Sequence, residues 1–510
     1  MSEASVIAAD IGTTGVKAAL VHRSGRIGAS AYRGYPTSGS GSTVEQDPED
    51  WWAALAAALA EIAGTLAGKR PEALVLSGQM KDLIMVGGTG RSPAILYSDA
   101  RAQAEAAEVA HLHGGRRHAL EARNDQDATG LAAKLLWVSR NLPASMASAE
   151  RVFFGAHDYA AWRLCGAAVT DLTTASTTGL LLFDEERWNL PLLEALGLRN
   201  DWLPTLVPAQ AVVGSLSRAA AHETGLPEGL PIIHGAGDAA TSTLGSRAGV
   251  EGRLSINLGT SGWVALTSGG VPADPATGAF NLRHPDAGRL ILVGPMLTAA
   301  GNLDWLRSAL GTEAERVEAF EAMTRAAAEA RPGSGGLLYL PWLAGERSPF
   351  RDQDARAAFI GISRDTSRGD LTRATMEGVA LSLRSVHRAL GGPGAAATEA
   401  VAVGGGARSP LWCRILASIL GCAVSVPEKP DEAGLRGAAL LAGLELGWFS
   451  SYDPGPGFLP LAATYAQEPA WEAGYSALAE IHEGLHAALA PSFAALARLR
   501  AGPESKDTIS

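Results

Sequence analysis

The sequence predicts an α/β protein made of two similar domains that face one another across a cleft. Two observations carry this. Short apolar runs, Val6 to Ala9, Leu74 to Leu76, Pro231 to His234, Leu254 to Leu258 and Val401 to Val403, alternate with long stretches of helical periodicity. The opening stretch AADIGTTGVKAAL also has a counterpart in RLSINLGTSGWVAL. In each, an apolar strand leads through Gly-Thr-(Thr/Ser)-Gly into a second apolar strand. Gly12 answers Gly259, an offset of 247 residues in a chain of 510. The repeat sets domains over residues 1–248 and 249–500, with 501–510, ending GPESKDTIS, as a loose tail.

Three helices can be placed by their signals. Asp47 reads as an N-cap with Pro48 in the first turn, and Trp52, Leu55, Leu59, Ile62 and Leu66 share one face. After Asp370, Val379, Leu383, Val386 and Leu390 do the same. From Trp471 to Leu489, the spacing of Leu478, Ile481, Leu485 and Leu489 predicts a helix packed back on the body. These stripes are core and carry no chemistry.

With 47% hydrophobic and 19% charged residues, the chain has the composition of a globular protein with a full core. A net charge of −11 argues against a broad nucleic-acid or anionic-membrane surface. Cys165, Cys413 and Cys422 form no CxxC pair, so neither a disulfide framework nor a zinc site is expected, and a reducing cytoplasm fits. No basic stretch precedes the first apolar run, and no 18 apolar residues stand together. Neither export nor a membrane span is expected.

A Gly-Thr-Thr-Gly hairpin presents backbone N–H groups and hydroxyls with little side-chain bulk, a concavity suited to anions, phosphate above all. Asp10 beside it would repel phosphate unless a divalent cation stood between, as Mg²⁺ does when carboxylates and waters bridge it to nucleotide phosphates. Asp238, after a strand and a Gly-Ala-Gly turn, supplies a second acid, and reads equally as a helix N-cap. Other phosphate motifs are weaker. Gly64 to Arg70 is one residue short of a P-loop and lacks its Ser or Thr. Gly235 to Ala240 matches GxGxxA, but its acid lies where a pyrophosphate would sit. In VAVGGGARSPLWCRILASILG, three glycines follow a strand and Ser409-Pro410 opens a helix, an arrangement suited to nucleotide contact or to a plain turn.

Nine segments in order resemble the FGGY carbohydrate kinases, most of all the xylulokinases. They are DIGTTGVKAAL, EQDPEDWW, SGQM, SPAILYSDARA, KLLWV, GAGDAA, LGTSG, LLYLPWLAGERSPFRDQDARAAFIGIS and GGGARSPLWCRILASILG, between about residues 6 and 448. The resemblance implies a duplicated actin-like, ribonuclease-H-like fold, with ATP in the interdomain cleft and a sugar deeper in the first domain. It implies Asp10 at the magnesium and its waters, with Asp238, and Thr13, Thr14, Gly259 and Thr260 at the phosphates. Gly301, Gly405, Gly406 and Ser409 would border the rest of the nucleotide. Asp238 matches the family's catalytic base, and Gln79, Met80, Lys81 and Asp99 fall in its sugar-site segments.

Two departures bear on the sugar. The xylulokinase pattern Gln-Met-His-Gly is here Gln79-Met80-Lys81-Asp82, and Gly-Asp-Asn is Gly237-Asp238-Ala239. The expectation is ATP-dependent phosphorylation of a small sugar, a ketopentose such as D-xylulose first, another ketose, polyol or sugar acid second. An actin-like nucleotide-switched interaction protein is the alternative of another class. The partners expected are the sugar and ATP, with a homodimer compatible.

Overall fold

The computed structural model describes residues 3–87, 92–311, 316–391 and 397–501. Runs of Val, Ile, Leu and Ala organise two large mixed sheets, their central strands buried on both faces. The first runs Val212–Ser215, Pro231–Gly237, Leu74–Gly78, Ser5–Ile11, Gly15–His22, Ile27–Gly34. The second runs Phe280–Arg283, Leu290–Met296, Gly262–Ser268, Arg253–Leu258, Glu399–Val403, Ala423–Pro427, Leu461–Tyr465. Both share one plan. An antiparallel hairpin is extended, beside its first strand, by two parallel strands. The repeat in the sequence is a repeat of topology, and the fold is two α/β domains with a cleft between them.

The helix Pro48–Thr65 packs on the first sheet, with Trp52, Leu55, Leu59 and Ile62 all buried. Asp47 caps it, accepting from Glu49 N at 2.9 Å. The helix Arg368–Gly391 buries Val379, Leu383, Val386 and Leu390 against the second sheet. The last helix, Glu472–Ala501, is longer than its stripe predicts and carries Pro491 inside. Ile481 corrects the expected stripe: it is 56% exposed, while its neighbour His482, about 100° further round the helix, is buried. Leu478, Leu485 and Leu489 do pack inward. The expected loose tail lies, from residue 502, outside the described residues.

The two lobes meet where the helices Asp238–Gly245 and Ala433–Glu445 cross. The backbones touch closely. A Cβ on Gly437 would stand 1.8 Å from the Thr241 carbonyl oxygen, and one on Gly245 would stand 1.8 Å from that of Ala433. Ala240, Leu244, Leu435, Ala438 and Leu441 fill the remainder of the contact. Among the described residues, no helix is long and apolar enough to cross a membrane.

Candidate active site

Asp10 stands at the end of the strand Ser5–Ile11, directly before the first hairpin loop. Ile11 pairs with Val16, and Gly12 N donates to Gly15 O at 3.1 Å. The loop is braced from behind: Gln46 Nε2 donates to the Thr13 carbonyl at 2.7 Å, and the Tyr35 hydroxyl donates to that of Gly12. Asp10 Oδ1 accepts from Ser77 Oγ at 3.0 Å, and Ser77 Oγ lies 2.7 Å from Thr241 Oγ1. A Cβ on Gly434 would approach Asp10 Oδ2 to 2.7 Å, so the N-terminus of the helix Ala433–Glu445 abuts this carboxylate. That end of a helix carries partial positive charge. Burial pushes the Asp10 carboxyl above its usual range, against the pull of Ser77 and Lys17.

Asp238 opens the helix Asp238–Gly245 without capping it. The N-cap is Gly237, and no side chain makes a capping bond there. Burial, and then the charge of Asp10, push Asp238 up to about 7. Two carboxylates in one another's field are the donor set that a hydrated Mg²⁺ neutralises, so the pair fits that ion. The glycines before Asp238 correct the expected turn: Gly235 to Gly237 belong to the strand Pro231–Gly237, whose register shifts between Ile233 and Ala236. Gly235 absorbs the bulge at φ +78°, where a Cβ would lie 1.6 Å from Leu76 O. Glycines inside a strand are not a dinucleotide turn.

Across the cleft, the second hairpin is held by the start of the helix Gly301–Ala309. Ala299 N and Gly301 N donate to Thr260 O at 2.9 and 3.2 Å, and Ala300 N to Gly259 O at 2.8 Å. Next door, Gly404 at φ +89° would bring a Cβ 2.8 Å from Asn257 Oδ1, and one on Gly406 would meet Leu258 at 2.9 Å. Gly259, Thr260, Gly301, Gly405 and Gly406 are therefore gathered around the ends of two adjacent parallel strands. Ser409 Oγ is engaged as a cap, accepting from Trp412 N at 3.3 Å.

Gln79 and the first three residues of the strand Met80–Val86 set four polar or thioether groups in a row, with Met80 next to Asp238. A Cβ on Gly237 would fall 1.8 Å from Met80 Sδ, so Met80 packs against the residue before Asp238. Gln79 Nε2 donates to Gln46 Oε1 at 3.0 Å, while Gln79 Oε1 and Asp82 Oδ2 are buried acceptors with no partner among the described residues. Burial raises the Asp82 carboxyl well above its usual range, against the pull of Lys134. Lys81 takes φ +65°, and its ammonium donates to Thr129 Oγ1 at 2.7 Å. It lies 5.9 Å from the Phe280 ring, over which Arg347 also sits at 4.6 Å. Burial, reinforced by Arg347 and Arg351 and opposed by Asp127, brings Lys81 down to about 8.

Residues 5–245 match the model of the N-terminal domain of the FGGY family of carbohydrate kinases, and residues 254–446 that of its C-terminal domain. The chain belongs to the FGGY family of carbohydrate kinases. A xylulose kinase of Bacillus subtilis is 29% identical over 454 residues, covering 88% of this chain and 89% of the relative. A gluconokinase of the same organism is 29% identical over 459 residues, covering 87% and 88%. Among solved structures, a xylulose kinase from Rhodospirillum rubrum superposes with a TM-score of 0.89 at 29% identity, covering 96% of this chain and 99% of that one.

Within this FGGY kinase, the residues read from the sequence fall into three groups. Asp10, Thr13, Thr14 and Asp238 converge on the first hairpin, Gly259 to Gly406 on the second, and Gln79 to Lys81 at the start of the strand Met80–Val86. Asp99 stands apart in its chemistry. Its oxygens accept from Val44 N at 2.6 Å and from the Arg101 guanidinium at 2.6 Å, so it anchors a loop. Sequence reasoning missed Asp82, Thr129, Phe280 and Arg347 as neighbours of this segment. Arg347 lies in the GERSPF stretch, whose resemblance gives it no role, and Asp82 stands out in the sequence only as a departure from the family's pattern. Phe280 carried no local signal.

Proposed function

We propose that this FGGY kinase transfers the γ-phosphoryl group of ATP to a hydroxyl of a small open-chain sugar, a ketopentose such as D-xylulose being the first acceptor to test. The observation that carries it is the position of the Asp238 carboxylate, beside Asp10 and above Met80, at the junction of the hairpin and the polar strand. The xylulose kinases among the relatives support the choice of acceptor.

Phosphoryl transfer leaves a protein mainly the tasks of positioning and charge neutralisation. The first hairpin, with Thr13 and Thr14, would take the terminal phosphates, and Gly259, Thr260 and Gly301 would approach from the other lobe. Gly405, Gly406 and the Ser409 turn would flank the remainder of the nucleotide. Asp10, with Asp238 through water, would hold Mg²⁺, which when bound neutralises charge on the β- and γ-phosphates. Asp238 would take the acceptor's hydroxyl proton as the phosphoryl group moves in line. The unpaired Gln79 Oε1 and Asp82 Oδ2 would accept from sugar hydroxyls, which removes the cost of leaving them bare. Closure of the lobes would exclude water and so prevent futile hydrolysis.

One observation favours a second reading of the acceptor. Lys81 and Arg347 share the Phe280 ring, and Arg347 has no carboxylate within ion-pair distance among the described residues. A sugar acid would place its carboxylate there. Coupled ADP release measured across ketoses, polyols and sugar acids, with a sugar-free blank, decides. Release that ignores every acceptor and responds to protein concentration would instead favour the nucleotide-switched interaction protein.

A further inference from the structure

Four side chains with metal-ligating atoms converge with no exposure at all or nearly none. His157 and Asp158 come from the start of the helix Ala156–Cys165, Asp171 from the end of the strand Val169–Asp171, and His234 from the strand that leads to Asp238. One ligand atom of each lies within 4.8 Å of the others. His157 Nε2 is 2.9 Å from Asp171 Oδ2 and 3.4 Å from Asp158 Oδ1, and His234 Nε2 is 3.1 Å from Asp158 Oδ1. We propose that these four residues form a closed, structural site for one divalent first-row transition ion, zinc in type.

Outer hydrogen bonds prepare three of the four ligands for this, while His157 Nδ1 is buried with no partner among the described residues. His234 Nδ1 lies 3.1 Å from Gly235 O, and a carbonyl only accepts, so the proton is on Nδ1 and Nε2 is left to ligate. Asp158 spends Oδ2 on the N–H groups of Phe154 and Gly155, at 3.2 and 3.0 Å, which turns Oδ1 to the centre. Asp171 spends Oδ1 on Thr173 N and Thr174 N, at 2.9 and 3.1 Å, which does the same for Oδ2, steadied by Thr174 Oγ1 at 2.6 Å. Charge completes the case. Two fully desolvated carboxylates demand two positive charges, and one divalent ion bound by two neutral imidazoles meets that demand. Imidazole and carboxylate in a closed set of four suit zinc. The ion would tie the strand entering Asp238 to the segment carrying Thr174, whose hydroxyl is 3.0 Å from a Cβ built on Gly237.

The test is metal content and stability of the full chain. The protein is expressed with added Zn²⁺, passed over a chelating column and analysed by native mass spectrometry and elemental analysis. About one zinc per chain is expected. Asp10→Asn, altered at the separate cleft carboxylate, should keep it, whereas Asp171→Asn and the pair His157→Gln with His234→Gln should lose it. Should those variants fail to fold, wild-type chain refolded from denaturant with Zn²⁺ or with EDTA gives the second measure, and zinc should raise the melting temperature by several degrees. A folded wild-type chain without stoichiometric metal, melting alike in Zn²⁺ and EDTA, overturns the proposal and leaves two imidazolium–carboxylate pairs in its place.

Discussion

The two hairpins are the same motif put to different uses. Asp10 precedes the first, and at the matching offset Asn257 precedes the second. A charge in one lobe is thus a neutral amide in the other. The loops differ as well. Ile11 pairs with Val16 across four residues, Gly12 to Gly15, whereas Leu258 pairs with Gly262 across three, Gly259 to Ser261. The neighbours complete the contrast: Lys17 sits opposite Asp10, and Trp263 opposite Asn257. The two turns share one strand-loop-strand plan, and the side chain at the matching position is a carboxylate in the first lobe and a neutral amide in the second.

The sharpest way to break this contrast is to remove the first lobe's second carboxylate. Asp238→Ala should lower kcat by roughly 10²- to 10⁴-fold with nearly normal Mg·ATP binding, measured by ADP release and by nucleotide titration. Wild-type turnover would deny Asp238 its role in chemistry. Next comes Asp10→Asn, which gives the first lobe the second lobe's amide. It should weaken Mg²⁺ dependence and activity by about 10- to 100-fold, with partial recovery at high Mg²⁺. An unchanged magnesium titration would make the charge difference between the hairpins irrelevant.

Lys81 belongs to the first lobe and Phe280 and Arg347 to the second, so this cluster measures how the lobes cooperate. Lys81→Ala should reorder the acceptors in the panel and leave the KM for ATP almost unchanged. The groups facing Lys81 are Asp127, Thr129, Lys134, Arg347 and Arg351. Since Lys81 titrates at about 8, the KM for a sugar acid should be flat below that pH and rise above it, by up to about tenfold per unit, while that of a neutral ketose should not. A pH-independent ratio between the two acceptors would detach Lys81 from acceptor binding. The smallest effect is expected of Gly437→Ala at the helix crossing. Its new methyl meets Thr241 O, and overpacking of this kind costs about 1–3 kcal/mol, visible as a lowered melting temperature.

What the sequence disclosed follows from how local the deciding physics is. The Asp47 cap, the Ser409 cap and both hairpins depend on residues within a few positions, and all were legible. The bulge at Gly235 was read as a turn because its cause, the Leu76 carbonyl pressing from the neighbouring strand, lies far away in the chain. The same distance hid Phe280 between Lys81 and Arg347. It hid the meeting of His157 with His234 too, which no spacing announces. Asp99 shows the converse: Arg101 stands in the same matched segment, yet the match does not tell that its guanidinium occupies the Asp99 carboxylate.

The crossing of the helices Asp238–Gly245 and Ala433–Glu445 has a mechanical meaning. One helix starts with Asp238 and the other starts against Asp10, and their backbones touch through Gly245 and Gly437. In any rotation about that contact, displacement grows with distance from the axis. A fulcrum at this crossing would lie beside Asp10 and Asp238, so that the far rims of the cleft would swing like the jaws of pliers while the two acids at the pivot kept their spacing.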